Sequence, residues 1–350
     1  MTKNRFFAAS VGGAGFQSRF DAIFAPDGFD TVYIIKGGPG TGKSTFMKKL
    51  GGEAERRGLS PEYYFCSSDV ASLDGVVIPE KRVAVLDGTA PHVTDPKYVG
   101  ACGRILDFTS AFDIPRLKER RRDIERLNGI SGEMFSRAYA DLRAAREFLG
   151  EGIRVIRASF LQEKATALVR RMTSDLTRGN VTEAGLATVC SRGIYRLDTF
   201  FERAERVYTV DAAGGAGYLL MNVIEKAAHA ERLRASVSRD PLCPEFAESV
   251  FFDGDGVLFT IKRDGDSEPD GEKIKKLNVR RFVSADGERA ARPYLRLIKK
   301  LYDASIFAAV GALGKASAAH AELEKIYVES TDFSAIDRIY ENVKNEIFEN

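Results

Sequence analysis

The stretch VYIIKGGPGTGKSTFM, residues 32–47, joins an apolar run to a glycine-rich loop and then to a helix-forming segment. The run Thr31–Ile35 predicts a strand, and Lys43–Arg57 predicts the helix that follows the loop. Two further apolar runs, Glu62–Cys66 and Arg82–Leu86, predict strands with loop residues between them. This alternation is typical of an α/β domain with a parallel sheet.

The loop fits the pattern G-x-x-x-x-G-K-[ST], which Gly37, Gly42, Lys43 and Ser44 satisfy between a strand and a helix. Glycines let the backbone wrap closely around phosphates, and the amides and dipole at a helix N-terminus favour an anion. A structural glycine turn is the alternative. We predict a nucleoside triphosphate site in which Lys43 reaches the β- and γ-phosphates and Ser44 binds Mg²⁺. The predicted nucleotide-binding residues are Gly37, Gly38, Pro39, Gly40, Thr41, Gly42, Lys43, Ser44 and Thr45.

A second part of such a site follows in VAVLD, residues 83–87, where Asp87 ends an apolar strand and could hold Mg²⁺ through water. The alternative for Asp87 is a turn aspartate. No glutamate follows it, so hydrolysis needs a base from elsewhere in the chain. We therefore add Asp69 and His92 to Lys43 and Asp87 as catalytic candidates.

Other polar residues could also serve the reaction, although each could equally be a solvated surface residue. Asp74 and Glu80 are expected in the loop after the second strand and are further candidates for the base. A cation at the γ-phosphate could come from Arg104, Arg116 or the cluster Arg120–Arg122. Such a cluster is more often a solvated helix face, and the sequence does not choose among these arginines.

A second segment later in the chain is weakly similar to the glycine-rich segment. VYTVDAAGGAGYLLMN begins at Val207, 175 residues after the corresponding start at Val32. A second match, between segments that begin at Ala145 and Ala318, falls at an offset of 173. Because the two offsets nearly agree, we predict an internal duplication.

The second copy has lost the residues that carry the chemistry, because Lys43 maps to Tyr218 and Ser44 maps to Leu219. Without them a triphosphate site lacks its main charge and its metal contact. We therefore predict two similar α/β units with parallel sheets, each followed by a helical segment, of which the second is degenerate. The predicted domains are residues 1–178 and residues 179–350.

Amphipathic spacing over residues 134–160 predicts a long helix, which Gly150 and Gly152 could break because each costs about 1 kcal/mol relative to alanine. The last ninety residues are also expected to be mostly helical. For the rest of the second half, the sequence predicts a strand at Arg206–Val210, later strands within Val250–Ile261 and an acidic turn at Asp264–Glu272.

The composition argues against several classes of protein. Of the 350 residues, 52 are Lys or Arg and 50 are Asp or Glu, a balance without the basic excess of a dedicated nucleic-acid binder. The N-terminus lacks the apolar core of a signal peptide, and no apolar run reaches membrane-spanning length. The four cysteines and three histidines are scattered, so we expect neither a disulfide framework nor a structural metal. A cytoplasmic monomer or homodimer, with a possible unidentified protein partner, is the resulting expectation.

GGPGTGKST together with VAVLD resembles the P-loop NTPase superfamily, which implies a doubly wound parallel sheet with ATP or GTP and Mg²⁺. FFAAS near the start, CSSD at 66–69, SLDGVVIPE at 72–80 and LDGTAPHVTDP at 86–96 resemble, more narrowly, a bacterial family described simply as ATPases. Members of that family carry two P-loop-like halves, so the resemblance spans nearly the whole chain. This chain departs from the family at Gly217-Tyr218-Leu219, where GKS or GKT is expected.

Three functions remain open on the sequence alone. The leading hypothesis is an ATPase in which Mg·ATP binding or hydrolysis switches the arrangement of the helices and the second half. A kinase that transfers the γ-phosphoryl group to a small molecule is the second, because such kinases also use the loop. A nucleotide sensor without hydrolysis is the third, since the carboxylate after Asp87 is missing. The absence of an N/TKxD guanine motif favours ATP over GTP.

Overall fold

The computed structural model describes residues 4–263 and 273–349 as an α/β protein with two six-stranded sheets. The first half contains β1 (Arg5–Phe7), β2 (Ala9–Gly12), β3 (Gly15–Ser18), α1 (Phe20–Ile23), β4 (Thr31–Lys36), α2 (Lys43–Arg56), β5 (Glu62–Phe65), β6 (Leu73–Ile78), β7 (Val83–Asp87), β8 (Gly103–Asp107), α3 (Ile114–Glu119), α4 (Arg121–Arg157) and α5 (Gln162–Thr173). The second half contains β9 (Val181–Glu183), β10 (Ala187–Cys190), β11 (Gly193–Arg196), α6 (Thr199–Arg203), β12 (Arg206–Asp211), α7 (Ala216–Ala230), β13 (Ala235–Arg239), β14 (Ala247–Phe252), β15 (Val257–Lys262), β16 (Ile274–Leu277), α8 (Ala285–Val328) and α9 (Phe333–Phe348).

The predicted elements around the glycine-rich loop are confirmed. β4, α2, β5 and β7 each lie within one or two residues of the predicted bounds, as does β12 in the second half. The later strands predicted within Val250–Ile261 correspond to β14 and β15. The acidic turn predicted at Asp264–Glu272 lies outside the described residues.

The prediction of a fully parallel sheet is wrong at one strand. The first sheet has the order β1-β5-β6-β7-β4-β8, and all its neighbours pair in parallel except β6, which runs antiparallel to β5 and β7. The segment LDGVVI that forms β6 was expected to be loop, because Asp74 and Gly75 are typical turn residues. All six residues of β6 are buried, so burial between two strands outweighs that local preference.

The second sheet repeats this arrangement. Its order, read from the edge, is β9-β13-β14-β15-β12-β16, and only β14 runs antiparallel to its neighbours. A two-stranded hairpin follows the first strand in each half, as β2-β3 and as β10-β11. Because strand order, direction and hairpin all recur, the structure supports the duplication that the offsets indicate.

The helices α4 and α8 form a long antiparallel pair between the two units. Leu127 near the start of α4 packs with Leu323 near the end of α8, and Glu151 near the end of α4 accepts a hydrogen bond from Tyr294 near the start of α8. The predicted long helix is confirmed, and the break considered at Gly150 and Gly152 does not occur, because α4 is continuous through both glycines. The packing of α4 along most of α8 offsets the helix cost of the two glycines, which is about 2 kcal/mol in sum.

The helix that follows each long helix packs on the sheet of the other sequence half. The last helix, α9, buries Ile336, Tyr340 and Ile347 in the core of the first sheet, where the Tyr340 ring meets Phe46 of α2 edge-on at 5.6 Å. In the same way α5 packs Val169 into the core of the second sheet. Each core therefore contains a helix from the other sequence half. Among the described helices, none combines the length and the apolar run that a bilayer crossing requires.

We expect Ile347→Ala to destabilise the first unit rather than the second, because Ile347 is 5% exposed in the first core. Removing a buried isoleucine side chain costs about 2–5 kcal/mol. Hydrogen exchange should show lost protection in α2 and β4, with α7 and β12 unchanged. Asn342→Ala, at an exposed position of the same helix, is the matched control and should leave both units unaffected. Equal loss of protection in the two units would contradict the exchange of α9.

Candidate functional site

The glycine-rich loop, residues 37–42, connects the carboxyl end of β4, which lies between β7 and the edge strand β8, to the start of α2. Gly40 and Gly42 have φ angles of 70° and 85°, which glycine adopts without the steric cost that other residues incur. Gly42 is the N-cap of α2, so the loop leads its amides to the positive end of that helix. The backbone thus curves into the form that surrounds an anion.

Hydrogen bonding within the loop engages its side-chain donors but leaves three backbone amides free for a ligand. Lys43 Nζ donates to the carbonyl oxygens of Gly37 and Gly38 at 3.1 and 2.7 Å, and Thr41 Oγ1 donates to Gly38 at 2.8 Å. Within the described residues, the backbone amides of Gly38, Gly40 and Gly42 donate to no other group. A cation and free amides therefore meet in a loop without a carboxylate of its own, which suits a negatively charged ligand.

The end of α8 and the start of α9 pack directly on this loop. A Cβ at Gly38 would lie 2.6 Å from the Tyr327 ring, and a Cβ at Gly40 would lie 2.9 Å from the Glu324 carbonyl oxygen. Only glycine admits so close an approach at these two positions. Phe333 at the start of α9 lines a small cavity together with Gly42. The loop consequently contacts helices that belong to the second sequence half.

Two carboxylates and an imidazole are buried beside the loop. Asp87 ends β7 next to β4, and Asp74 is the second residue of β6. Because β6 runs antiparallel, its first residues lie opposite the last residues of β7, which brings Asp74 and Asp87 together. His92 follows in the loop after β7, and one ligand atom from each of the three side chains lies within 4.8 Å of the others. Asp74 is therefore a strand residue and not the loop residue that we predicted.

The electrostatics of this carboxylate–histidine cluster (Asp74, Asp87 and His92) are unfavourable without a further cation. Burial and the nearby charge of Asp87 raise the pKa of Asp74 to about 7. Burial lowers the pKa of His92, so the imidazole is neutral near pH 7. Lys43 Nζ lies 3.5 Å from Asp87 Oδ2, and Ser44 Oγ accepts a hydrogen bond from Leu73, the residue before Asp74. The cluster is thus contiguous with the loop.

Two of the predicted base candidates are not members of this cluster. The Asp69 carboxylate accepts bonds from Ala71 and Ser72 in an exposed turn. Glu80 follows the far end of β6, where it accepts a bond from Ser60, so it cannot reach the loop. Of the four candidates, Asp74 and His92 are therefore the ones that the fold brings beside Asp87.

The arginine candidates are engaged on the surface. Arg104 of β8 pairs with Glu346, and Arg116 of α3 pairs with Glu329. Two members of the cluster Arg120–Arg122 form local ion pairs along the start of α4. These contacts agree with the solvated surface role weighed for the arginine cluster. Exposed pairs of this kind contribute little to stability and leave the arginines able to move.

The second loop is built differently. Tyr218, which the sequence offset of 175 aligns with Lys43, is 2% exposed and donates its hydroxyl to Asp240 Oδ2 at 3.1 Å. The backbone close to Gly215 repeats the tight approach seen at Gly40, since a Cβ there would lie 2.7 Å from the Ile153 Cα in α4. The helix contact is therefore retained where the lysine has been lost.

A buried ion network fills the second unit beside this loop. Strand register places Glu248 of β14 where the first unit has Asp74. Arg263 donates to Glu248 Oε1 at 2.5 Å and to Asp240 Oδ2 at 2.6 Å, and Arg196 lies 3.4 Å from the same Glu248 oxygen. Burial opposes the charge of Arg263, but the facing carboxylates hold its pKa well above the ordinary value. Arginine side chains therefore supply the positive charge in this unit.

Three features of the site escaped the sequence analysis. The strand β6 was hidden by Asp74 and Gly75, although the following VVI was a signal for a strand. The Arg263 network has no local pattern, since Arg196, Asp240, Glu248 and Arg263 are spread over 68 positions of the chain. The packing of α8 on the loop depends on the antiparallel helix pair and has no signal in the loop residues.

Comparison of the chain with protein-family models, with curated proteins and with solved structures finds no match.

We expect Arg263→Met to destabilise the protein by about 3–5 kcal/mol, because it leaves Asp240 and Glu248 buried without their main cation. Thermal melting measures the loss. Combining Arg263→Met with Asp240→Asn and Glu248→Gln should recover most of it, since neither carboxylate is then left charged and buried. Arg192→Met on the exposed β10-β11 turn is the matched control and should be neutral. A neutral effect of Arg263→Met alone would contradict this role.

Proposed function

We propose that the first unit binds and hydrolyses Mg·ATP at the glycine-rich loop. The observation that carries the proposal is the loop itself, in which free amides of positive-φ glycines and the Lys43 ammonium converge at the N-terminus of α2. This combination suits a polyphosphate better than other anions, because a lysine and a row of amides can each contact a different phosphate. The resemblance to P-loop NTPases supports the same conclusion.

The roles follow from the positions of the side chains. Lys43 would exchange its bonds to the Gly37 and Gly38 carbonyls for the β- and γ-phosphates. Ser44 and Asp87 would hold Mg²⁺, whose charge would offset the charge that develops on the phosphates in the transition state. The amides of Gly40 and Gly42 would orient the phosphates and neutralise their charge, which is the largest part of phosphoryl-transfer catalysis.

The second unit is proposed to bind no triphosphate. Tyr218 replaces the lysine, and the neighbouring polar space is occupied by the network of Arg263 with Asp240 and Glu248. Its buried charges are already paired, so a nucleotide would have to break those pairs. One nucleotide per chain is the expected stoichiometry.

The helices α8 and α9 are the proposed output of nucleotide binding. Glu324, Tyr327 and Phe333 lie against the glycines of the loop, so a loop that closes around phosphates changes the surface on which these helices rest. The helix pair α4 and α8 connects that contact to the second unit. A nucleotide-dependent change in this pair would be presented to a protein partner in the cytoplasm.

The first test is Lys43→Ala. We expect it to weaken Mg·ATP binding by about 100-fold, since charged hydrogen bonds contribute about 1.5–3 kcal/mol each. Isothermal titration gives the affinity and the stoichiometry, expected to be one. Lys48→Ala on the exposed face of α2 is the matched control and should bind as the wild type does. Unchanged affinity in Lys43→Ala would refute the proposal.

The fate of the γ-phosphate separates hydrolysis from the other two functions. With Mg²⁺ and labelled ATP, released inorganic phosphate in the wild type and its loss in Lys43→Ala would support the ATPase. A phosphorylated small molecule that depends on added acceptor would indicate a kinase instead. Tight binding without turnover would indicate a sensor.

Coupling to the helices has its own measurement. We expect Mg·ATP to change hydrogen exchange in residues 324–336, because they contact the loop that would bind it. The equivalent residues 153–165, at the second loop, should not respond. Lys43→Ala should abolish the change at 324–336. An unaltered exchange pattern in the nucleotide-bound wild type would rule out α8 and α9 as the output.

A further inference from the structure

We propose that Asp74, Asp87 and His92 form a protein-held site for a divalent transition-metal ion, which binds before and independently of the nucleotide. The inference deepens the proposed function, since it shares Asp87 with it and concerns the cation at the same site. The three residues come from β6, from the end of β7 and from the following loop, and each offers a ligand atom within 4.8 Å of the other two.

His92 is the observation that points to a ligand. Its side chain is 6% exposed, and neither ring nitrogen has a hydrogen-bond partner within the described residues. A buried polar group without a partner is costly, about 1–3 kcal/mol, and is rare in folded proteins. The ring stacks on Phe20 with centroids 4.4 Å apart, and Nε2 lies 4.0 Å from Asp74 Oδ1. The imidazole is thus fixed with one nitrogen toward the carboxylates.

The two carboxylates need a cation that this cluster lacks. The pairing of β6 with β7 ends at Gly75 opposite Leu86, so Asp74 and Asp87 come next on the two strands, and like charges on neighbouring strands are destabilising. Lys43, at 3.5 Å from Asp87, is the cation beside them, and in the proposed function it turns to the phosphates when ATP binds. The carboxylates would then face each other with a neutral histidine.

The second unit carries a cation at the corresponding place. Glu248, which replaces Asp74, is fully buried and is neutralised by Arg263 and Arg196. The position of Arg263 corresponds to Thr89 in the first unit, by the register of β15 with β14 and of β7 with β6. Thr89 has no charge and donates to Asp87. In the second unit the cation is therefore the side chain of Arg263, whereas the first unit would bind a metal ion from solution.

The ligand set selects the class of ion. One imidazole nitrogen with two carboxylate oxygens favours Mn²⁺, Fe²⁺ or Zn²⁺ over Mg²⁺, which prefers oxygen alone. Bonds of about 2.1 Å place neighbouring ligands about 3.0–3.4 Å apart. The 4.0 Å between His92 and Asp74 would thus close by less than about 1 Å, within the reach of side-chain rotation. Ser44, next to Leu73, lies close enough for a nucleotide-bound form to share the ion.

The experiment is a titration of chelator-treated, nucleotide-free protein with Mn²⁺, followed by electron paramagnetic resonance and calorimetry. We expect one Mn²⁺ per chain, bound at least about 10-fold more tightly than Mg²⁺. His92→Phe keeps the stack on Phe20 and removes the nitrogens, and Asp74→Asn removes one charge. Each should weaken Mn²⁺ binding by at least about 10-fold, while thermal melting verifies that the variants are folded.

Matched controls separate this inference from the proposed function. Asp95→Asn changes an exposed carboxylate in the same loop and should leave Mn²⁺ binding unaltered. Lys43→Ala should retain Mn²⁺ while it loses ATP. If Mn²⁺ binds only in the presence of ATP, or binds equally to wild type and His92→Phe, the inference is overturned even where the ATPase stands. If Mn²⁺ binds as expected and ATP does not, the metal site stands without the ATPase.

Discussion

The packing of α9 on the first sheet is the contact on which the remaining architecture depends. Ile336, Tyr340 and Ile347 complete a core whose strands come from the other end of the chain. To reach it, α8 must run antiparallel to α4 for most of its length and end on the glycine-rich loop. The exchange of α5 and α9 therefore connects the two units, the long helix pair and the loop through direct packing.

The two units differ in how their buried carboxylates are neutralised. In the second unit, Arg263 neutralises Asp240 and Glu248, and the Tyr218 hydroxyl donates to Asp240. Because the charges of this network are already paired, it does not require a bound ion. In the first unit, Asp74 and Asp87 stay close together with a neutral imidazole beside them. Two buried carboxylates that share one lysine, Lys43 at 3.5 Å from Asp87, are costly to stability, and such an arrangement is typical of a ligand-binding site.

The retained glycines of the second loop have a structural reason that is independent of nucleotide. Gly215 admits the backbone of α4 at Ile153, just as Gly40 admits that of α8 at Glu324. Loss of these glycines would push a long helix off its sheet. The second loop can thus lose the lysine and the hydroxyl while packing still requires its glycines. This accounts for the weak sequence similarity between the segments that begin at Val32 and Val207.

Local residue patterns determined much of this protein: the strand, loop and helix around Gly37–Ser44, the position of Asp87, the long amphipathic helices and the duplication with a changed second loop. These features depend on periodicity, glycine geometry and spacing along the chain, which neighbouring residues carry. Only the tertiary structure decided the antiparallel direction of β6, the burial of His92 beside Asp74 and Asp87, and the exchange of α9. Each of these depends on burial between segments far apart in sequence, and local preferences such as those of Asp74 and Gly75 do not report such burial.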